Sequence, residues 1–188
     1  MPVWTVDRAI YHLSLHLADS VPATERAAWQ ELREELAEKA RTAKRPFTAE
    51  EIDLMKSVYN ERVEKYLAAG YGGCLLKKPE AARALVETIE HDHGAGYLLH
   101  CWTIMPNHLH VIAQFDNGTE VRPTVETWKK ISAHRINKAM SRNGSVWANG
   151  FYSRIIRDAA EYRRQIAYVM ANPTSAGLTS GFLQRKYI

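Results

Sequence analysis

The first clear pattern in the chain is a strict alternation of apolar and polar side chains over residues 10–17. One set consists of Tyr11, Leu13, Leu15 and Leu17, and the other of His12, Ser14 and His16. Because successive side chains of a strand point to opposite faces, this period of two predicts a half-buried β-strand. We expect His12 and His16 on the open, solvated face, with metal ligation or nucleic-acid contact as the alternative role.

A second alternating region predicts a hairpin in the middle of the chain. The two strands are expected at residues 97–104 and 107–115, on either side of a turn at Pro106 and Asn107. In the second strand His108 and His110 point the same way, and Leu109 points to the opposite face. Two imidazoles about 7 Å apart along one strand face can converge on a single cation. The alternative is a pair of polar residues on a solvated sheet face.

Residues 22–69 have a different character, because they are rich in Ala, Glu, Lys and Arg and show no strand alternation. Pro46 divides them into two predicted helices. Thr48 and Glu51 have the spacing of a capping box at the start of the second helix, and Gly70 supplies a stop. The sequence therefore predicts a helical hairpin inserted into an otherwise single 1–188 domain.

The remaining elements alternate between short strands and helices. They are a strand at 71–76, a helix from Pro79 to about His91, a helix at 125–140, a short strand at 151–156, and a helix from Asp158 that stops at Asn172-Pro173. This order predicts an α+β fold with helices packed on one face of an antiparallel sheet. The other face is expected to be open for a substrate.

Composition and charge narrow the possible functions. The 188 residues are 46% apolar and 24% charged, which is typical of a soluble globular protein. Cys74 and Cys101 have no metal-binding spacing and are expected as free thiols in a reducing compartment. We find no signal-like apolar segment and no run of the roughly 20 residues that a membrane span requires. A cytoplasmic protein that does not bind membranes is the expectation.

The positive charge is concentrated in the second half of the chain. Residues 102–188 hold 12 Lys and Arg against 5 Asp and Glu, whereas residues 1–101 hold 13 against 16. In the predicted helix at 125–140, Lys130, His134 and Lys138 recur every four residues and form a basic ridge. Such a ridge suits a polyanion, and an ordinary solvated helix face is the alternative.

The last helix carries a tyrosine on its polar side. At about 100° per residue, Tyr162 joins the apolar stripe while Tyr168 falls roughly opposite, with Arg157 and Arg164 as neighbours. Asn172 lies one turn further, at a position that the following proline disfavours for helix. A phenol can attack phosphorus and arginines can hold phosphates, although a surface tyrosine is the simpler alternative.

Four stretches together resemble one known family. They are YHLSLHLADSVP (11–22), LAAGYGGCLLKKPE (67–80), HCWTIMPNHLHVI (100–112) and VWANGFYSRIIRDAAEYRRQIAYVMANPTSAGL (146–178). Their content, order and spacing resemble the single-tyrosine HUH transposases, specifically the REP-associated tyrosine transposase-like group. The resemblance implies a ferredoxin-like fold. It also implies a metal-dependent endonuclease and strand-transfer enzyme that acts on single-stranded or hairpin DNA.

The resemblance also implies the roles of individual residues. His108 and His110 match the histidines that bind the divalent ion, Tyr168 matches the nucleophile, and Asn172 matches the third metal ligand. The ion is expected to be Mg²⁺, or Mn²⁺ because imidazole suits softer metals. The chain departs from the family at 147–150, which read Trp-Ala-Asn-Gly, and in ending soon after Leu178.

The expected reaction forms a 5′-phosphotyrosine and a free 3′-hydroxyl, and Arg157, Arg164 and the basic ridge are expected to bind DNA phosphates. Three alternatives stay open. One is a phosphoesterase that uses water as its nucleophile, the second an inactive or domesticated DNA-binding protein, and the third a purely structural α+β domain. The protein is expected to be a monomer or a homodimer.

Overall fold

The structure is a computed structural model that describes residues 6–187, apart from the side chains of residues 56 and 59–61. By its internal contacts the chain divides into two compact units, one of residues 19–73 and the other of residues 1–18 and 74–188. In chain order the elements are β1 (Ile10–His16), α1 (Ala23–Thr42), α2 (Ala49–Ala68), a 3₁₀ turn (Leu75–Lys77), α3 (Pro79–Glu90), β2 (Tyr97–Ile104), β3 (His108–Phe115), α4 (Val121–Ala139), β4 (Tyr152–Ile156), α5 (Ala159–Ser175) and β5 (Leu183–Lys186).

The larger unit is built on a five-stranded antiparallel sheet, which confirms the predicted α+β fold. The strand order is β4-β1-β3-β2-β5, so the two strands with the clearest alternation occupy its centre. They pair with Leu15 opposite Leu109 and His16 opposite His108. The ladder therefore puts leucine with leucine on one face and histidine with histidine on the other.

The leucine face of the sheet carries the main core. Helices α3 and α4 pack on it, and their Leu85 and Trp128 join the cluster that contains Leu13 and Val111. The Trp128 indole N–H donates to the Tyr97 hydroxyl at 3.0 Å, so the buried polar atoms of both rings are satisfied. The helix α4 begins at Val121, four residues earlier than its periodicity predicts.

Helix α5 packs on the other face of the sheet, where an open substrate face was expected. Its Ile166 and Val169 form a second apolar cluster with Cys101 of β2 and Ile112 of β3. Both strand residues are completely buried. Two apolar side chains on the polar face of adjacent strands need a cover, and α5 provides it over β2 and part of β3. The histidines of β3 therefore lie between the sheet and α5.

The prediction that α5 stops at Asn172 is wrong. The helix continues through Pro173 to Ser175, and the Asn172 carbonyl accepts the N–H of Ala176. A proline inside a helix has no N–H for the carbonyl four residues earlier, here that of Val169. The buried hydroxyl of Thr103 on β2 donates to this carbonyl at 2.8 Å. The sheet thus supplies the hydrogen bond that the proline removes.

The predicted strand at 71–76 is also wrong. Gly72 has φ of 95°, Cys74 has φ of 50°, and a single 3₁₀ turn follows. A Cβ at Gly72 would lie 2.6 Å from the Asp19 carbonyl oxygen, and the Gly73 N–H donates to the Asp19 carboxylate at 2.8 Å. A close approach of this kind needs glycine, so the segment turns where its apolar residues suggested an extended chain.

The smaller unit contains the predicted helical hairpin. The capping box is present as expected, because the Thr48 hydroxyl accepts from the Glu51 N–H and the Glu51 carboxylate accepts from the Thr48 N–H. Val21, Val63 and Leu67 form the apolar cluster of this unit. Over residues 6–187, no helix combines the length and the apolar character that crossing a membrane demands.

The fifth strand is an element that the sequence pattern did not predict. All four residues of β5 are exposed, so the strand shows no apolar alternation. It pairs with β2, where Arg185 lies opposite Trp102. The Glu90 carboxylate accepts from the guanidinium of Arg185 at 2.9 Å and from the Trp102 indole at 3.2 Å. Backbone pairing and one shared carboxylate hold a strand that has no apolar face.

The bond between Thr103 and the Val169 carbonyl gives a stability prediction. Thr103→Val leaves a buried carbonyl unsatisfied, and we expect a loss of about 1 to 3 kcal/mol in the free energy of unfolding. In a Pro173→Ala background the restored backbone N–H at position 173 can serve Val169, so the same change is expected to be milder. Urea unfolding of the four proteins in this cycle measures the coupling. Equal losses in both backgrounds would refute this account of how the helix tolerates its proline.

Candidate active site

His108 and His110 lie side by side on β3 beneath α5. Their ring centroids are 4.8 Å apart, and their residues are 2% and 3% exposed. Burial, together with the neighbouring His16, lowers the pKa of His108 to about 3. Burial likewise lowers the pKa of His110 well below its ordinary value. Both imidazoles are therefore neutral at pH 7 and each keeps a nitrogen lone pair, as metal ligation requires.

Asn107 orients the first of these rings. Its carboxamide oxygen accepts from the His108 Nδ1–H at 2.8 Å, and the side chain is fully buried. An amide oxygen can only accept, so the lone pair of His108 is on Nε2. The sequence pattern marked Asn107 only as a turn residue. Because Asn107 directly precedes β3, its side chain can also orient the His108 ring.

Helix α5 brings the predicted tyrosine and asparagine to the same place. The Tyr168 ring is 5.6 Å from the ring of His110, and the residue is 40% exposed. One helical turn later, the Asn172 carboxamide lies beside the His108 imidazole, where it raises the pKa of that ring. The two histidines, the tyrosine and the asparagine thus form one cluster, with the tyrosine at its solvent-facing side.

The expectation that His12 and His16 lie on an open face is wrong. They are 5% and 8% exposed, because β1 pairs with β3 and places them in the same buried layer. Nε2 of His12 lies 3.1 Å from Nδ1 of His110. The pKa of His12 is lowered to about 4, mainly by burial, and the Gln165 carboxamide of α5 partly opposes this shift. The alternation of residues 10–17 predicted that these two histidines share one face of the strand. Their contact with β3 follows only from the pairing of the strands.

A buried carboxylate on α5 was not identified from the sequence. Glu161 is 5% exposed and accepts from the Arg154 Nε–H at 2.8 Å and from the Arg157 backbone N–H at 3.1 Å. Arg154 lies opposite His12 in the β1–β4 ladder, on the histidine face of the sheet. Its side chain is half exposed, so it offers positive charge near the cluster.

The structure separates the five predicted DNA-binding residues into two groups. Arg157 precedes α5 and Arg164 lies in its first half, and both are exposed on the histidine side of the sheet. The basic ridge of Lys130, His134 and Lys138 is exposed on α4, which packs against the leucine face. The ridge is therefore remote from Tyr168, and its predicted DNA contact stays a prediction.

The donor set fits a single divalent cation. Among the residues the structure describes, no three His, Cys, Asp or Glu side chains are placed to hold an ion. The cluster instead offers two neutral imidazoles and the carboxamide oxygen of Asn172. Nitrogen and neutral oxygen donors of this kind suit Mn²⁺ as well as Mg²⁺, with water completing the coordination.

Comparison with known proteins gives a family match for one continuous segment of the chain. Residues 77–172, just over half of the chain, match the family model described as "Transposase IS200 like". The chain belongs to the IS200-like transposase family. The matched segment includes both candidate histidines, Tyr168 and Asn172.

Two similar proteins are informative. The chain is 24% identical over 79 residues to the REP-associated tyrosine transposase of Escherichia coli K12, and the match covers 42% of this chain and only 46% of that protein. A solved structure of a REP-associated tyrosine transposase bound to a REP hairpin matches with a TM-score of 0.51 at 13% identity. That match covers 94% of this chain and 73% of the other and supports the similarity of the folds.

The Glu161 carboxylate gives a prediction about pH. The Arg157 N–H and then the Arg154 guanidinium lower the pKa of Glu161, so its bonds contribute stability above the unfolded pKa of about 4.3. That contribution is lost as the pH falls through the lower folded pKa. We expect Glu161→Gln to reduce the free energy of unfolding at pH 7, and the difference from wild type to shrink towards pH 3. Chemical unfolding at both pH values measures it, with Glu87→Gln as an exposed control; a difference independent of pH would contradict the prediction.

Proposed function

We propose that this chain is a metal-dependent single-strand DNA endonuclease and transposase. It cleaves and rejoins hairpin-bearing DNA through a covalent 5′-phosphotyrosine at Tyr168. The observation that carries the proposal is the cluster under α5, where a part-exposed phenol lies 5.6 Å from the ring of a buried, neutral histidine. Membership of the IS200-like transposase family supports the same activity.

The chemistry assigns one bond-forming step to Tyr168. Its phenolic oxygen attacks the scissile phosphorus and loses its proton, and the bond between phosphorus and the 3′-oxygen breaks. The departing 3′-oxygen takes up a proton and becomes a hydroxyl, while the 5′-phosphate stays on the tyrosine. The phosphotyrosine remains a phosphodiester, so a 3′-hydroxyl from another strand can attack it and restore the phenol. Cleavage and joining are thus the same reaction in opposite directions.

His108, His110 and Asn172 are the residues that hold the cation in this proposal. Mg²⁺ or Mn²⁺ bound there supplies Lewis-acid polarisation of the scissile phosphate and stabilises its developing charge. The protein contributes two buried imidazoles that are already neutral, each with one nitrogen lone pair. Asn107 holds the orientation of the His108 ring. A rigid donor set of this kind needs no proton release before the cation binds.

The proposed partner is single-stranded or hairpin DNA. A REP hairpin is bound in the solved structure of the REP-associated relative, and that fold covers most of this chain. Arg157, Arg164 and the half-exposed Arg154 lie on the histidine side of the sheet and can contact phosphates there. Because each contact releases counterions, affinity is expected to fall steeply as the salt concentration rises.

The nucleophile is tested by two matched substitutions on one helix. With hairpin-bearing single-stranded DNA and Mn²⁺, the wild type is expected to form a protein–DNA adduct that survives denaturing electrophoresis. Tyr168→Phe removes the attacking oxygen and is expected to abolish the adduct. Tyr162→Phe is the control. It also removes a phenolic hydroxyl from α5, but that hydroxyl is hydrogen-bonded to His100 at 2.7 Å and lies outside the cluster.

The other outcomes distinguish the competing functions. An adduct retained in Tyr168→Phe would assign the nucleophile to another residue. DNA cleavage without an adduct, retained in that variant, would indicate a phosphoesterase that uses water. Hairpin binding by the wild type with neither cleavage nor adduct, across varied sequences and both metals, would indicate an inactive or domesticated DNA-binding protein.

The metal assignment has its own test that does not depend on DNA. His108→Ala removes one imidazole from a preformed pair, and we expect at least a roughly tenfold loss of Mn²⁺ affinity in an electron paramagnetic resonance titration. His91→Ala is the control, because His91 is exposed at the end of α3. Equal Mn²⁺ affinity in wild type and His108→Ala would refute the assignment of the cation to this site.

A further inference from the structure

We infer that Gln165 and His12 act as positioning residues that hold His110 in the tautomer whose Nε2 carries the lone pair. This inference rests on the proposed function for its consequence, since the lone pair is directed to the cation site. The hydrogen-bond arrangement itself is a property of the metal-free protein. It extends over three elements, from α5 through β1 to β3.

The two central histidines have different partners at the same ring atom. Nδ1 of His108 donates to the adjacent carboxamide of Asn107. Nδ1 of His110 instead faces Nε2 of His12, on the neighbouring strand, at 3.1 Å. An amide oxygen can only accept a hydrogen bond, whereas a histidine ring nitrogen can donate or accept one, depending on the tautomer. His108 is therefore set by its own partner, and His110 depends on the state of His12.

Gln165 lies three residues before Tyr168, whose ring is 5.8 Å from the His12 ring, so both side chains share the face of α5 that covers His12. Since Nε2 of His12 faces His110, Nδ1 is the ring nitrogen that remains for the Gln165 carboxamide, and we assign the state of His12 to that contact. With the amide oxygen accepting from Nδ1–H, His12 keeps its lone pair on Nε2 and accepts the His110 Nδ1–H. His110 then presents an unprotonated Nε2, like His108. The opposite direction along the chain would protonate that Nε2 and block ligation.

Burial makes the arrangement specific. His12, His108 and His110 are all at most 5% exposed, so water cannot take the place of a missing partner on most of these atoms. Ligating histidines ordinarily donate their second N–H to a carboxylate, a backbone carbonyl or water, and loss of that partner lowers metal affinity about 10- to 100-fold. Here the partner is another imidazole, which needs Gln165 to define its direction.

The test reads the tautomer directly in the metal-free protein. Long-range ¹H–¹⁵N correlation spectra of ¹⁵N-histidine-labelled protein at pH 7 distinguish Nδ1–H from Nε2–H, and His110→Gln identifies the His110 signals. The wild type is expected to show His110 as the Nδ1–H form. Gln165→Leu is expected to populate the Nε2–H form and to lower Mn²⁺ affinity about 10- to 100-fold. Gln165→Glu retains an acceptor oxygen and is expected to preserve the wild-type tautomer.

Tyr162→Phe is the matched control, because it removes an α5 partner from His100, a buried histidine outside the cluster. It is expected to change neither the His110 tautomer nor Mn²⁺ affinity. His12→Phe removes the link itself and is expected to match Gln165→Leu; urea unfolding verifies that each variant is folded. Because Gln165 is only half-buried, its variant remains informative if His12→Phe does not fold.

Two results would overturn the inference. One is a wild-type His110 in the Nε2–H form, and the other is a tautomer unchanged in Gln165→Leu. Failure of the proposed function is a separate result. If the wild type does not bind Mn²⁺ while the tautomer responds to Gln165→Leu as expected, the metal part of the proposed function is wrong. The positioning role of Gln165 and His12 then stands by itself.

Discussion

The burial of a polar sheet face under a single helix is the constraint on which the candidate site depends. Helix α5 has to cover Cys101 and Ile112, and in doing so it encloses the histidines of β3. Buried imidazoles must be neutral and hydrogen-bonded, which is also the state that a metal ligand requires. The packing that completes the fold therefore prepares the chemistry of the site.

The same helix has to be held at a defined height above the sheet. Thr103 serves the Val169 carbonyl that Pro173 leaves without a partner, so a contact in the middle of β2 anchors the last turns of α5. Asn172 lies next to that anchor and reaches His108. At the other end of the helix, Glu161 joins α5 to Arg154 on β4. The tyrosine lies between two fixed points, and its distance from His110 is a consequence of both.

The two sides of the sheet have separate roles in this arrangement. The leucine face, with α3 and α4, contains most of the apolar core and leaves the histidine face to α5. The basic ridge on α4 lies on the core side of the sheet, away from Tyr168. Arg154 is the basic residue beside the cluster, because strand pairing and not helical periodicity sets what surrounds it.

The sequence by itself determined the elements with a strong local pattern. These are the alternation of β1, the central hairpin with its two histidines on one face, and the capping box of the inserted helices. It also placed Tyr168 off the apolar stripe and Asn172 one turn later, since both follow from the geometry of a single helix. The family resemblance, carried by residues around the hairpin and the last helix, supplied the transposase assignment before the fold was known.

Only the tertiary structure decided which faces meet. The burial of His12, its contact with His110 and the support from Gln165 and Arg154 come from residues that are far apart in the chain, and a local pattern contains no information about such pairs. The strand at 71–76 failed because a close backbone approach to Asp19 overrides an apolar run. The continuation of α5 past Pro173 likewise depends on a hydroxyl from another strand, which no rule about neighbouring residues can supply.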